Sequence, residues 1–365
     1  MHDERTAPIG HLLAINTDSL REELPASGLK ATLRALRPMF GSQSDDFALA
    51  GVPLERSFMT SDSPTVATCA MLESDGRRVD IEALPGVSAF LDGVQRSRVA
   101  GHVDGSPIIV ATVAAVVRER IDRRMQTWTL PLVRHRVLAA RAHLGDDRWE
   151  ELERANLAPI DVSASVSSRR DALPLHPLAV RARALELVAE ERETLERRLA
   201  ADWCREESRW LWIDGGISGN LAVDASSSAF GVIKSHNTLY GDNDRVRATL
   251  ALTVGERGPL FVVQHRSRRA IASWYLRVHA PQHGDPLHGL VRIELAPPPQ
   301  LFAHDDIERQ RPLASALAQI TQRADQISAW IYAERAPISL PDPRWDTLTY
   351  GVYACEQFLK ATIGS

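Results

Sequence analysis

The sequence is short of several things, and each shortage closes off a class of protein. Only three cysteines occur in 365 residues (Cys69, Cys204 and Cys355), far apart and without CxxC spacing. That predicts a reducing compartment, no disulfide framework and no cysteine-built metal site. No run of eighteen apolar residues exists, so no membrane span is expected. The opening "MHDERTAPIG" is polar and acidic where a secretory signal would be basic and then apolar. The expected location is therefore cytoplasmic. A basic excess is missing too: 43 Lys and Arg against 47 Asp and Glu leave a formal charge of -4. Chains that grip nucleic acid over a broad surface draw much of their affinity from phosphate contacts. This balance argues against a free-standing, tight DNA binder. It leaves room for an enzyme with a local basic channel, or one handed its DNA by a partner. No P-loop or dinucleotide fingerprint is present either, because "DGGISGN" at 214–220 lacks the spacing and the following helix. ATP binding by this chain is not expected.

What remains is ordinary for a soluble globular protein, with 44% hydrophobic and 25% charged residues. The length suits one large α/β domain with additions, or two domains. Residues 1–80 read as an N-terminal, mostly helical extension broken by Pro, Gly and Ser, with one strand at "TVATCAML". A single domain is expected over 81–365. It opens with "VSAFLDG", a strand ending in Asp-Gly, then "RSRVAGHVDG", a second strand closed by a turn, then the long apolar "SPIIVATVAAVVRER". Three strands this close form an antiparallel meander. Residues 130–175 are mixed and polar and read as an insertion before a central helix over 176–203. The buried strand "SRWLWIDGG" follows, again ending in Asp-Gly. Further strands are expected at "FGVIKSHN", "RATLALTVGE", "GPLFVVQHR", "IASWYLRVHA" and "LVRIELAP", with closing helices at 312–335 and 345–361. Meander, helix, strand is the element order of an RNase H-like core, so the expected fold is α/β, a mixed sheet flanked by helices.

Asp92 and Asp214 share a setting: each ends an apolar strand and precedes a glycine that permits close approach. Asp-Gly is a common turn pair, so either alone is explained by a turn. Two such ends separated by a long helix suit phosphodiester hydrolysis. There, two divalent ions roughly 4 Å apart activate water and stabilise the leaving oxygen, and hard ions prefer carboxylate oxygens. The helix offers Glu186, Glu190, Glu191, Glu193 and Glu196. Leu178, Leu185, Val188, Leu195, Leu199 and Trp203 define its buried stripe. At about 100° per residue, Glu196 lies nearest the stripe centre, Glu191 flanks it and Glu190 points away. Glu196 is the expected third ligand. Asp346, placed to begin the last helix, is the candidate fourth ligand, or simply a cap.

With "FLDG" at 90–93, "WLWIDGGI" at 210–217, "GVIKSHN" at 231–237 and the late strands "SWYLRV" and "VRIEL", residues 88–362 resemble the NurA family of DNA-repair nucleases. The resemblance implies an RNase H-like fold, a homodimer, Mn²⁺ (or Mg²⁺), a DNA substrate and a hexameric ATPase partner of the HerA type. It implies metal ligation by Asp92 and Asp214, and Glu196, eighteen residues before Asp214, suits the family's helix glutamate. The family's late Ala-His pair is replaced here by Ala354-Cys355 within "TYGVYACEQ", where Asp346, Tyr350 or Glu356 are the available substitutes. A non-catalytic subunit that keeps the fold and binds a motor or DNA is the alternative expectation.

Three further features bear on function. Lys234, ending "GVIK", is a candidate catalytic residue that would neutralise a phosphate as a point charge, or else an exposed strand-end lysine. "HRSRRAIASWYLR" joins basic residues to Trp274 and Tyr275, which would stack a base or lie in the core. His279, His283 and His288, with His304, suggest zinc, but their proline-containing segment denies them a helical HxxxH face.

Overall fold

The computed structural model describes residues 36, 52–53, 68–80, 86–122, 124–157, 159–163, 176–226, 228–236, 238–264, 269–282, 285–299, 301, 312–335 and 350–363. Most of the helical extension expected over 1–80 lies outside these residues, as do Asp346, His283 and His304. Along the chain run β1 (Val52–Pro53), β2 (Thr68–Met71), β3 (Arg77–Arg78), β4 (Ala89–Val103), β5 (Ser106–Ile121), β6 (Arg124–Thr127), β7 (Leu132–Ala139), α1 (Arg141–Leu144), α2 (Asp146–Arg154) and β8 (Pro159–Asp161). Then come α3 (Pro177–Glu206), β9 (Leu211–Asp214), α4 (Leu221–Asp224), β10 (Ala229–Ile233), α5 (Asn243–Leu250), β11 (Glu256–Arg257), β12 (Phe261–Gln264), β13 (Ile271–Arg277), β14 (Leu290–Leu295), α6 (Ala314–Glu334) and α7 (Tyr350–Thr362). The protein is mixed α/β.

The chain divides into two units. One takes residues 1–54, 97–112 and 133–184, and the other 55–96, 113–132 and 185–365. In the first, β4 and β5 turn over at Asp104-Gly105, whose φ angles of 47° and 77° are the left-handed pair that suits a two-residue hairpin. Its core gathers Ala100, Val103, Ile108, Val137, Trp149 and Leu152. The polar segment at 130–175 thus supplies β7, β8 and core side chains, with β7 and β8 parallel.

The second unit is a mixed sheet in the order β2-β12-β13-β14-β10-β9-β4-β5, with β6 on β5. β14 pairs antiparallel with β10, whereas β10 with β9 and β9 with β4 are parallel. Those inner strands read as nearly unbroken apolar runs because helices cover both faces. On one face, Trp330 of α6 meets Trp210 edge-on at 5.4 Å, and Trp274 Nε1 donates to Ser328 Oγ at 2.9 Å. On the same face, α7 lays Gly351 against the Phe90 ring, and Cys355 Sγ donates to Phe90 O at 3.3 Å. α3 buries Val188, Leu195, Leu199 and Trp203, as its stripe predicts. Leu178 departs from the stripe and is 66% exposed, while Val180 and Ala184 are the buried residues of that first stretch.

Two other expectations are corrected. The two strands read around Asp92 are one strand, β4, of 15 residues. Gly93 is outside the positive-φ glycines, so Asp92-Gly93 continues the extended backbone, and only Asp104-Gly105 turns. "RATLALTVGE" is not a strand but the end of α5 and its exit. Asp242 caps that helix by accepting from Arg245 N at 3.0 Å, and Leu250 and Leu252 pack onto Phe261 and Tyr275 from helix and turn.

The seat of α7 is tight enough to test. In a helix, Ala is favoured over Gly by about 1 kcal/mol, but a Cβ on Gly351 would overlap Phe90. Overpacking of this kind costs about 1–3 kcal/mol, so contact outweighs propensity. Gly351→Ala is expected to lower the denaturation midpoint. A raised midpoint would mean that α7 is not seated on Phe90.

Candidate functional site

Register brings the two aspartates together. β4 and β9 run parallel with Leu91 opposite Ile213, so one step further along both strands Asp92 stands beside Asp214. β10 extends the row with Val232 opposite Asp214. Lys234, two residues on, is on the same face, and its Nζ donates to Asp214 Oδ2 at 2.9 Å. One pleat behind, that face carries Phe90, Trp212 and Phe230, with ring centroids 5.9 and 5.5 Å apart. The carboxylates therefore follow directly on an aromatic row that admits little water. Asp92 is only 6% exposed, and Gly93 N donates to its Oδ1 at 2.8 Å.

Glu196 arrives from the other face. Successive residues of a strand point to opposite sides, so Gly93 faces α3 where Asp92 faces away. The Glu196 carboxylate fills the space that a side chain at Gly93 would take. Arg192, one turn earlier on α3, forms an ion pair with Glu196 and donates Nε to Gln95 Oε1 at 3.2 Å. Glu190 is exposed, as the helical phase predicts.

Burial, with the Asp214 charge next, pushes the Asp92 carboxyl well above the usual range; Lys234 opposes this and Glu196 adds to it. Burial lifts Glu196 to about 7, against the pull of Arg192. Burial disfavours the Lys234 ammonium, but the adjacent Asp214 outweighs it and raises the pKa. Cys355, on α7, is held well above the ordinary thiol value by burial and then by Asp92. A thiol that keeps its proton is a poor ligand and nucleophile.

Two cavities meet at Asp214. One of about 330 Å³ is lined by Asp92, Asp214, Lys234, Glu356 and Lys360. The other, of about 810 Å³, is lined by Glu196, Asp214, Arg192, Arg197, Arg292 and Glu294 together with the 215–220 loop. Sequence reasoning missed Arg192, Glu294 and Lys360. Arg192 was findable as the residue four before Glu196 on the same helical face. Glu294 was findable from the alternation in "LVRIEL", which sets it beside Arg292 on one face of a strand. Its carboxylate accepts from Ile217 N at 2.9 Å and pairs with Arg292 at 2.9 Å.

The remaining candidates separate clearly. Trp274 and Tyr275 are buried in the core, at 0% and 2% exposure. His279 Nε2 bonds to Arg335 O and His288 Nδ1 to Ala280 O, so both imidazoles face carbonyls. Among the described residues no three His, Cys, Asp or Glu side chains stand in metal-binding geometry, and Asp214 and Glu196 are engaged with Lys234 and Arg192. The donor chemistry nevertheless fits a hard cation. Asp92, Asp214 and Glu196 are oxygen donors whose like charges disfavour one another in a buried place, a conflict that a divalent ion relieves.

Compared with known families and with curated proteins, the chain matches no family model and no curated sequence. Among the described residues no helix is long and apolar enough to cross a membrane.

The Glu196 carboxyl makes stability depend on pH in a definite direction. Its ordinary value is 4.5 and its folded value about 7, so between these the folded state holds the extra proton and stability falls as pH rises. The destabilisation is absent below the lower value, complete above the upper, and on the order of 3 kcal/mol. In EDTA, Glu196→Gln is expected to gain stability relative to the parent between pH 5 and pH 8, read from denaturant midpoints. Parallel pH profiles for the two proteins would refute a buried, raised Glu196.

Proposed function

We propose that the chain is a metal-dependent DNA nuclease built on an RNase H-like sheet and similar to the NurA nucleases. The observation that carries this reading is the convergence of Asp92, Asp214 and Glu196 from two parallel strands and one helix, in a buried place beside Lys234. Asp92, Asp214 and Glu196 would hold Mn²⁺ or Mg²⁺, with Asp346 the sequence-based fourth candidate. A bound ion pair supplies activation of the attacking water and stabilisation of the leaving oxygen. The chain's own groups do the rest. Lys234 holds a positive charge beside Asp214, where the phosphate of a strand would lie, and Arg192 orients Glu196, whose carboxylate would be shared with a cation. Burial beside Phe90, Trp212 and Phe230 lowers the dielectric around Asp92 and strengthens the interactions of its charge. A homodimer and a HerA-type hexameric ATPase that feeds DNA to the site are part of the proposal. They agree with a chain whose net charge of -4 suits delivery better than capture.

One observation favours a second reading, a non-catalytic subunit that keeps this fold to bind a motor or DNA: Asp214 and Glu196 are already neutralised by Lys234 and Arg192.

Labelled linear and single-stranded DNA are expected to be cleaved in Mn²⁺ or Mg²⁺ and left intact in EDTA. Metal catalysis supplies several kcal/mol of transition-state stabilisation, so Asp92→Asn and Asp214→Asn are expected to lose at least about 100-fold in rate with folding retained. Absence of cleavage in every metal, with a HerA-type ATPase supplied, would overturn the nuclease reading in favour of the subunit.

A further inference from the structure

We infer that the larger cavity is a phosphate-binding subsite, built from Arg292, Ser218 and the glycine-rich loop that follows Asp214. The inference rests on the nuclease reading for its biological sense, but its chemistry stands on separate observations.

The first observation is a pair of unsatisfied donors. The carboxylates lining the cavity have donors of their own. Glu294 takes the Ile217 N–H and the Arg292 charge, Glu196 takes Arg192, and Glu193 lies 3.7 Å from Arg197. Asp214 is engaged by Lys234 from the other side. Two polar atoms of wall residues nevertheless make no hydrogen bond among the described residues. Arg292 Nη1 lies 2.9 Å from Glu294 Oε1 but is misaligned for a hydrogen bond, and it is buried without a hydrogen-bond partner. Ser218 Oγ is likewise buried and without a partner among the described residues. Buried polar groups are almost always satisfied, so two orphans on one wall call for a ligand that accepts hydrogen bonds.

The second observation is preorganisation. Arg292 projects from the middle of β14 with its guanidinium carbon 5.0 Å from the Tyr240 ring centroid, and its side chain is 12% exposed. It is stacked and charged before any ligand arrives. Ser218 lies in a loop pinned at both ends, by Ile217 N to Glu294 at one and by Asn220 at the other, whose Nδ2 donates to Arg197 O at 2.9 Å. Gly216 has no room for a side chain without crowding the Glu294 carboxylate, at 3.0 Å. The loop therefore keeps a bare backbone toward the cavity.

A tetrahedral anion with several acceptor oxygens can use a guanidinium and a hydroxyl together. The same groups would take a terminal phosphate monoester or an internal phosphodiester. Because Asp214 borders this cavity, a phosphate held here stands next to the acid centre, and the subsite would set the register of the strand at the site.

Binding can be measured in EDTA, where no cleavage occurs, by titrating inorganic phosphate, a nucleoside 5′-monophosphate and a short unphosphorylated oligonucleotide. Phosphate and at least one nucleotide ligand are expected to bind. Preference for the monophosphate would identify a strand-end pocket, and preference for the oligonucleotide a path for the continuous backbone. Losing one hydrogen bond to a charged group weakens binding about 10- to 100-fold, so Ser218→Ala and Arg292→Gln are each expected to do so. Ser218→Ala removes an unpartnered hydroxyl and is expected to leave the thermal midpoint unchanged or higher, and Arg292→Lys serves if Arg292→Gln fails to fold. No binding of any anion by the parent protein, or parent-like affinity in Ser218→Ala and the folded arginine variant, would overturn the subsite. Metal-dependent cleavage alongside that result would leave the nuclease reading intact, so the two fail separately.

Discussion

Parallel pairing of β4 with β9 is the constraint on which the rest depends. It stacks Phe90 against Trp212 and, one pleat on, Asp92 beside Asp214. The aromatic row and the carboxylate row are two consequences of one register. A slip by one residue would turn both to the opposite face at once. The packing that stabilises the sheet is therefore the same packing that forces two acids side by side, one of them buried. Like charges there would separate if they were on loops, but on adjacent strands they cannot.

The structure answers this conflict locally. Lys234 is reached by running β10 one residue beyond its last paired position, and Arg192 by one turn of α3. Both are basic groups on elements already required by the fold. Each touches one acid, and among the described residues the third, Asp92, takes a backbone N–H. The centre is thus balanced by basic side chains on neighbouring elements rather than by the backbone alone.

Much of this was legible in the sequence, and the failures have physical causes. The apolar run ending at Asp214 and the buried stripe of α3 depend on local periodicity, and both are present; the helical phase alone put Glu196 inward and Glu190 outward. Asp92-Gly93 and Asp104-Gly105 are the same dipeptide, and only the first has a helix pressing a carboxylate against its glycine. No local rule separates an extended Asp-Gly from a turning one. "RATLALTVGE" alternates well enough for a strand, but the Asp242 cap before it decides for a helix. That Arg292, Glu294 and Lys360 border the acid centre was out of reach for another reason, although alternation alone pairs Arg292 with Glu294. Their meaning comes from which strand lies beside which, and the order β14-β10-β9-β4 is a long-range result.

Gly93 has a consequence for how this chain can change. Its backbone is extended, so any residue could occupy the position without disturbing the strand, yet every side chain would displace the Glu196 carboxylate. Drift at this one site would leave the sheet, the helices and both aspartates in place and remove only the third acid. A descendant altered there would keep its architecture and any surface by which it binds other molecules. Loss of the acid cluster and loss of the fold are thus uncoupled at a single atom.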